Sequence, residues 1–158
     1  MIDIVNDCSF TIAVGHSVQS RVWKNIKMTW GEFVNKISKP VVTSESYKQF
    51  LSASKADQSK IKDVGGFVGG TLIKGSRNKE NVQSRRLITL DIDFSHSNFW
   101  WDFTMLYSCA ALIHSTHKSC AEKPRHRLII PLNRDVTADE YQAIARRIAG
   151  DLNIDLFD

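Results

Sequence analysis

No apolar run in the 158 residues approaches the roughly 18 to 20 needed to cross a bilayer, and the N-terminus lacks the basic-then-apolar pattern of a secretion signal. The expectation is a cytoplasmic protein with no membrane partner. Cysteine is scarce: Cys8, Cys109 and Cys120 are odd in number and have no framework spacing, which points to reduced thiols and away from a disulfide scaffold. Acidic residues fall short, 17 against 21 Lys and Arg, so the formal charge is +4. That excess is compatible with a polyanionic partner, and equally with an ordinary mildly basic protein. A phosphate-loop lysine is also missing: in Gly65-Gly66-Phe67-Val68-Gly69-Gly70-Thr71 a glycine stands where the Walker pattern needs Lys. Paired glycines ahead of Leu72-Ile73 instead mark a bulge or a close backbone approach in a sheet.

What is present fits one folded domain. Hydrophobic residues make up 42% and charged residues 24%, as in soluble globular proteins. Phe10 to Val14 reads as a strand. Thr29 and Glu32 form a capping-box pattern ahead of Phe33, Val34 and Ile37, which predicts a helix from about Trp30 to Ile37. Ser52 to Asp63 has no apolar period, so it reads as a solvated loop or a polar helix, and it divides an N-terminal subdomain (about 1–63) from the remainder (about 64–158).

Leu87 to Phe94 is the clearest strand, with Ile88, Leu90 and Ile92 on one face and Thr89, Asp91 and Asp93 on the other. Phe99 to Tyr107 has the aromatic density of a buried helix. Ala110 to Ile113 and Leu128 to Leu132 read as interior strands. A second capping-box pattern, Thr137 and Glu140, starts a helix whose apolar positions are Tyr141, Ile144, Ala145, Ile148 and Leu152, with Gly150 at its end. Mixed strands and helices place the chain in the α/β or α+β class with a central sheet.

Strand side chains repeat every two residues, so Asp91 and Asp93 leave the same face about 7 Å apart. Two like charges side by side call for a cation between them, and hard oxygen ligands favour Mg²⁺ or Mn²⁺. The plain alternative is two carboxylates in solvent at a strand end. His114-Ser115-Thr116-His117 follows an apolar run, a place where binding residues gather. In Pro124-Arg125-His126-Arg127-Leu128, Arg125 and Arg127 share a face, and two guanidinium forks aimed alike suit a triphosphate. The alternative for them is a solvated edge strand.

Leu90-Asp91-Ile92-Asp93-Phe94, then Ser115-Thr116-His117, then Phe157-Asp158, in this order, resemble the three motifs of the archaeo-eukaryotic primase superfamily. The stretch Lys123 to Leu132 resembles the primase-polymerase domains of bacterial phages and plasmids, which extends the likeness from about Val64 to the last residue. The resemblance implies an α+β catalytic core with an RNA-recognition-motif-like sheet and an N-terminal α/β subdomain. It implies two Mg²⁺ or Mn²⁺ ions held by Asp91, Asp93 and Asp158, with Asp155 the competing third acid. Ser115 and His117 would contact the nucleotide's phosphates, helped by Arg125 and Arg127. The partners implied are nucleoside triphosphates, a single-stranded DNA template and a replicative helicase domain, in a bacterial host cell. Relatives carry a further stretch and often a helicase after the third acid, so the chain resembles a domain truncated before it. Where relatives often place a further His, this chain has Ser119.

Three other readings compete. A non-catalytic single-strand-binding module would use stacked aromatics on the sheet, but two acids there would repel phosphate. A metal-dependent nuclease or nicking replication initiator needs a nucleophile, and neither Tyr107 nor Tyr141 is evidently placed for it. Zinc binding by His114, His117 and Cys120, with Cys109 or His126, matches no standard spacing. Lys118, Lys123, Arg134, Arg146 and Arg147 are candidate template contacts.

Overall fold

In the computed structural model, which describes Ile4 and residues 7–157, the chain divides into two units. The first is the chain up to Val68 together with Leu72–Asn81; the second is Gly69–Thr71 with the chain from Val82 onward. Each combines helices with an antiparallel sheet, so the fold is α+β. Among the described residues no helix is long and apolar enough to cross a membrane.

In the first unit, strand β1 (Ser9–Gly15) lies between β2 (Lys24–Thr29) and β3 (Gly66–Val68). Helix α1 (Trp30–Ile37) begins where the sequence places it, because the Thr29 hydroxyl accepts from the Glu32 N–H while the Glu32 carboxylate takes the Thr29 N–H. Its buried face, Trp30 and Phe33, closes an aromatic cluster with Phe10 and Phe67, ring centroids 5.1 to 6.4 Å apart. Two further helices follow, α2 (Tyr47–Ser52) and α3 (Lys55–Ile61). The second buries no residue, the polar helix that its composition allows.

Trp23 is buried at the end of β1, where a Cβ on Gly15 would stand 2.6 Å from the indole, so only glycine admits the ring. The Leu72–Asn81 segment is tied to β2 through the same place. The Trp23 N–H donates to the Gly75 carbonyl at 2.6 Å, and the Asn25 side chain bonds both the N–H and the carbonyl of Leu72.

The second unit is built on the strand order β4 (Gly70–Leu72), β5 (Val82–Ile92), β7 (His126–Val136), β6 (Leu112–Ser115), with helices α4 (Phe99–Leu106) and α5 (Ala138–Asp151). The run β5–α4–β6–β7–α5, with β7 between β5 and β6, has the connectivity of a split β-α-β-β-α-β fold over its first five elements. Ile88, Ile92, Leu128 and Ile130 of the sheet pack on Phe99 and Phe103 of α4 and on Ile148 and Leu152. At about 1.5 to 3 kcal/mol per buried large apolar side chain, this cluster is the main stabilising feature of the unit.

The glycine pair does mark a close approach. A Cβ on Gly70 would lie 1.9 Å from the Ser84 carbonyl oxygen, and the N–H groups of Arg86 and Leu87 both donate to the Gly69 carbonyl, at 2.7 and 3.0 Å. The register of β5 against β7 shifts between Arg85 and Leu87, as a bulge requires, and Pro131 sits beside that shift, past the last β6 partner.

Four expectations are corrected. Helix α4 is buried on one side only: Phe99 and Phe103 are covered, whereas Trp100 and Trp101 are exposed, because a helix laid on one face of a sheet keeps a solvent side. Helix α5 runs past Gly150 to Asp151, and the left-handed residue after it is Asn153 (φ 82°), the other residue that tolerates this conformation. The segment after it is a 3-10 turn, Ile154–Leu156, and not an extended piece with alternating faces. Arg127 does not belong to an edge strand, since β7 is flanked by β5 and β6, and Arg125 lies just before β7 begins.

Candidate functional site

The face of the second sheet opposite its helix-covered core carries the polar residues. Asp91 of β5, Arg127 of β7 and His114 of β6 are cross-strand partners in one row, so their side chains share that face. The Arg127 guanidinium grips Asp91 with two bonds, Nε to Oδ1 at 2.6 Å and Nη2 to Oδ2 at 3.0 Å. Just beyond the ends of these strands, Arg125 Nη1 lies 3.0 Å from Asp93 Oδ1. Two acids and two arginines therefore alternate at the open end of the sheet, each acid paired with the arginine opposite.

These pairs are solvated. Side-chain exposure is 36% and 51% for Arg127 and Asp91, and 31% and 27% for Arg125 and Asp93. In such surroundings an ion pair contributes about 0.2 to 1 kcal/mol, so it can be exchanged for another partner at small cost. The carboxylates are oxygen donors suited to a hard divalent cation, and the guanidinium forks match phosphate oxygens. Asp91 and Asp93 are the residues here that would hold a metal; among the described residues there is no group of three or more His, Cys, Asp or Glu able to do so. The zinc grouping of His114, His117 and Cys120 is thus not assembled.

The second motif is placed at the other margin of the sheet. Ser115 ends β6 opposite His126, one residue out of step with the Asp91 row, and is exposed. His117 is exposed in the turn that follows. That turn is pinned at its base: the Thr116 N–H donates to the Arg125 carbonyl at 3.0 Å, and the Arg125 N–H donates to Ser119 Oγ at 3.0 Å. Ser119 is thereby a structural residue of the loop.

The third motif lies at the chain end, where the Phe94 N–H donates to the Leu156 carbonyl at 3.2 Å and Phe157 packs edge-on against Phe99. The segment returns to the turn that follows Asp93. Asp155 is exposed, its N–H bonded to Asn153 Oδ1. Asp158 lies outside the described residues.

Sequence reasoning missed two features. His114, and not Ser115, stands in the row with Asp91 and Arg127; Ile113 with its apolar neighbours signals a strand, but no spacing reveals which β6 residue meets Arg127. On the other side of β7, His126 Nδ1 lies 2.7 Å from Ser95 Oγ. Burial first, then the nearby imidazoles of His114 and His96, hold His126 below the ordinary imidazole range, so it is neutral near pH 7. Of the arginines offered as template contacts, Arg134 is bound to Glu140 at 2.6 Å and Arg147 to Asp151 at 2.9 Å.

No curated protein and no solved structure matches the chain. The family model described as VapE N-terminal domain matches residues 1–158. The chain belongs to the VapE N-terminal domain family, which ties it to VapE-like replication proteins of phages and plasmids.

Proposed function

We propose that the domain is a template-dependent nucleotidyltransferase of the primase-polymerase type, serving phage or plasmid replication, with its site on the exposed end of the β5–β7–β6 sheet. The observation that carries this reading is the set of alternating pairs Asp91–Arg127 and Asp93–Arg125. It supplies, at one end of the β5–β7 pair, the two kinds of group that joining nucleotides requires: hard anionic ligands for divalent cations and cationic forks for a triphosphate.

Asp91 and Asp93, with Asp158 as third acid, would hold two Mg²⁺ or Mn²⁺ ions, which when bound supply activation of the attacking hydroxyl and stabilisation of the pyrophosphate leaving group. Arg127 and Arg125 then release their carboxylates and take phosphate oxygens, so charge within the site is redistributed and not created. Ser115 and His117, at the margin of the same sheet, add contacts to the phosphates; His117 serves as a binder and not as a general base. Asp91 and Arg127 sit on paired strands, and Asp93 and Arg125 follow directly at the ends of those strands, so the spacing of the four is set before the nucleotide arrives.

Labelled-nucleotide incorporation on single-stranded DNA by the full-length protein, with Mg²⁺, with Mn²⁺ and with chelator, tests the reading. Metal-dependent extension is the expected result. A protein that binds DNA but adds no nucleotide with either ion would contradict it.

One observation favours a second reading, a non-catalytic single-strand-binding module: both acids are already neutralised by arginines, so the face repels phosphate less than two bare carboxylates would. It predicts DNA binding that is indifferent to divalent metal and to nucleotide.

A further inference from the structure

The basic excess of the chain is not shared between its two units. The first unit holds twelve Lys and Arg against seven Asp and Glu, a net of +5, while the second holds nine against ten. Pairing sharpens the contrast. In the second unit Arg86, Arg125, Arg127, Arg134 and Arg147 each face a carboxylate within 4.0 Å. In the first, Lys60 with Asp57 is the ion pair formed among the described residues.

Six exposed cations of the first unit belong to two segments that the structure joins. Arg21, Lys24 and Lys27 lie on and just before β2; Lys74, Arg77 and Lys79 lie on the Leu72–Asn81 loop. The segments are held together by the hydrogen bond from the Trp23 N–H to the Gly75 carbonyl, by the two hydrogen bonds between the Asn25 side chain and the Leu72 backbone, and by Arg77, whose guanidinium carbon sits 5.4 Å over the Trp23 ring. The Ile73 N–H donating to the Asn81 carbonyl at 2.8 Å closes the loop. Glu80 is the acid on these segments, and Asp63, in reach of the Arg77 charge, is occupied by the Ser17 hydroxyl and the Val18 N–H.

Lysines on an outer strand commonly serve to block edge-to-edge pairing, which accounts for Lys24 and Lys27. It does not account for Arg21, or for three more cations on a separate loop pinned to the same place. We propose that this surface is a phosphate-tracking site for a single nucleic-acid strand. Cations spread along an extended strand and a loop match a polyanion's repeating charge. The exposed aliphatic residues between them, Val22, Ile26 and Ile73, suit sugars and base edges, and the segments show no exposed Trp or Tyr of the kind that anchors a protein at a lipid interface. The inference deepens the replication reading by naming template contacts on the first unit, and it stands on nucleic-acid binding without requiring catalysis.

The test is fluorescence anisotropy with a labelled oligodeoxythymidine across a salt series, comparing the parent with Lys24→Gln/Lys27→Gln/Lys74→Gln and with Lys48→Gln/Lys55→Gln/Lys62→Gln, which changes net charge equally at exposed positions elsewhere on the unit. Loss of three phosphate contacts should weaken binding on the order of tenfold and make the slope of log affinity against log salt shallower by about 2, while the control triple stays near the parent. Melting curves matched to the parent show that each variant is folded. Equal loss in both triples, parental binding in the first triple, no DNA binding by the parent, or binding to anionic phosphatidylserine vesicles without binding to DNA would each overturn the proposal. Failure of the enzymatic reading is seen separately, as a parent that binds the oligonucleotide but incorporates nothing.

Discussion

Replacing Arg127 with alanine separates a phosphate-binding role from a structural one. The side chain makes two bonds to Asp91, but both partners are a third to a half exposed. Removing the pair should therefore cost about 0.2 to 1 kcal/mol of stability. For a chain of this length that lowers Tm by no more than about 4 °C. A charge-assisted hydrogen bond to a phosphate oxygen is worth about 1.5 to 3 kcal/mol, so nucleotide affinity should fall by about 10- to 150-fold. Calorimetry with a nucleoside triphosphate and Mn²⁺, run beside thermal melts, reads both quantities from one preparation. Arg127→Lys should lie between parent and Ala, since it keeps the charge and loses the fork. A large drop in Tm with parental nucleotide affinity would refute the reasoning and make the pair a strut of the sheet. Loss of DNA binding with parental nucleotide affinity would show that the wrong ligand has been assigned to this face.

His117→Ala should weaken nucleotide binding more than DNA binding, by the same calorimetry set against anisotropy, because its contact is local and charge-assisted. Gly70→Ala should lower Tm steeply, by 2 °C or more per kcal/mol for a clash costing about 1 to 3 kcal/mol, since the new Cβ meets backbone and not a movable side chain; circular dichroism melts give the value. Acid should destabilise the fold in a defined window. The Arg134 side chain, and then the Thr137 N–H, hold Glu140 down at about 2 against an ordinary 4.5. Its contribution is complete above 4.5 and is lost as pH falls toward 2, so melts of the parent and Glu140→Gln should differ at pH 5 and converge near pH 2.

Elements whose ends are chemically marked were legible in the sequence. The boxes Thr29/Glu32 and Thr137/Glu140 start α1 and α5 where they were read, because a cap is a local hydrogen bond that needs no tertiary partner. Ser46 and Gln49 make the same box ahead of α2, a signal that was present and passed over. Strand β2 gave no such mark: Lys24-Asn25-Ile26-Lys27-Met28-Thr29 has four exposed residues in a row, and it is a strand because β1 pairs with it. Strands β5 and β7 were found by their apolar centres, read as Leu87 to Phe94 and Leu128 to Leu132, but β5 stops at Ile92 and Asp93 and Phe94 form the turn beyond it. Their polar ends, Val82–Arg86 and Asn133–Val136, extend further because the ladder continues across the bulge.

The candidate site was legible to the same depth. Period two suggests shared faces for Asp91 with Asp93 and for Arg125 with Arg127, and the ion pairs keep them together although Asp93 and Arg125 lie just outside the strands. That the two faces are one, with Asp91 directly opposite Arg127, depends on register, which long-range pairing sets. The basic surface of the first unit was hidden for the same reason. Arg21 to Lys27 and Lys74 to Lys79 are far apart in sequence, and it is Trp23 and Asn25 that bring them together.

The most direct measurement of the central claim is single-turnover incorporation of a labelled nucleotide on a primed DNA template by the full-length protein and its Asp91→Ala and Asp93→Ala variants, at saturating Mn²⁺. Both acids are on the accessible face and outside the apolar core, so the variants should fold and bind DNA as the parent does. The account predicts that incorporation falls to background in each. Incorporation at the parental rate in either folded variant would contradict it.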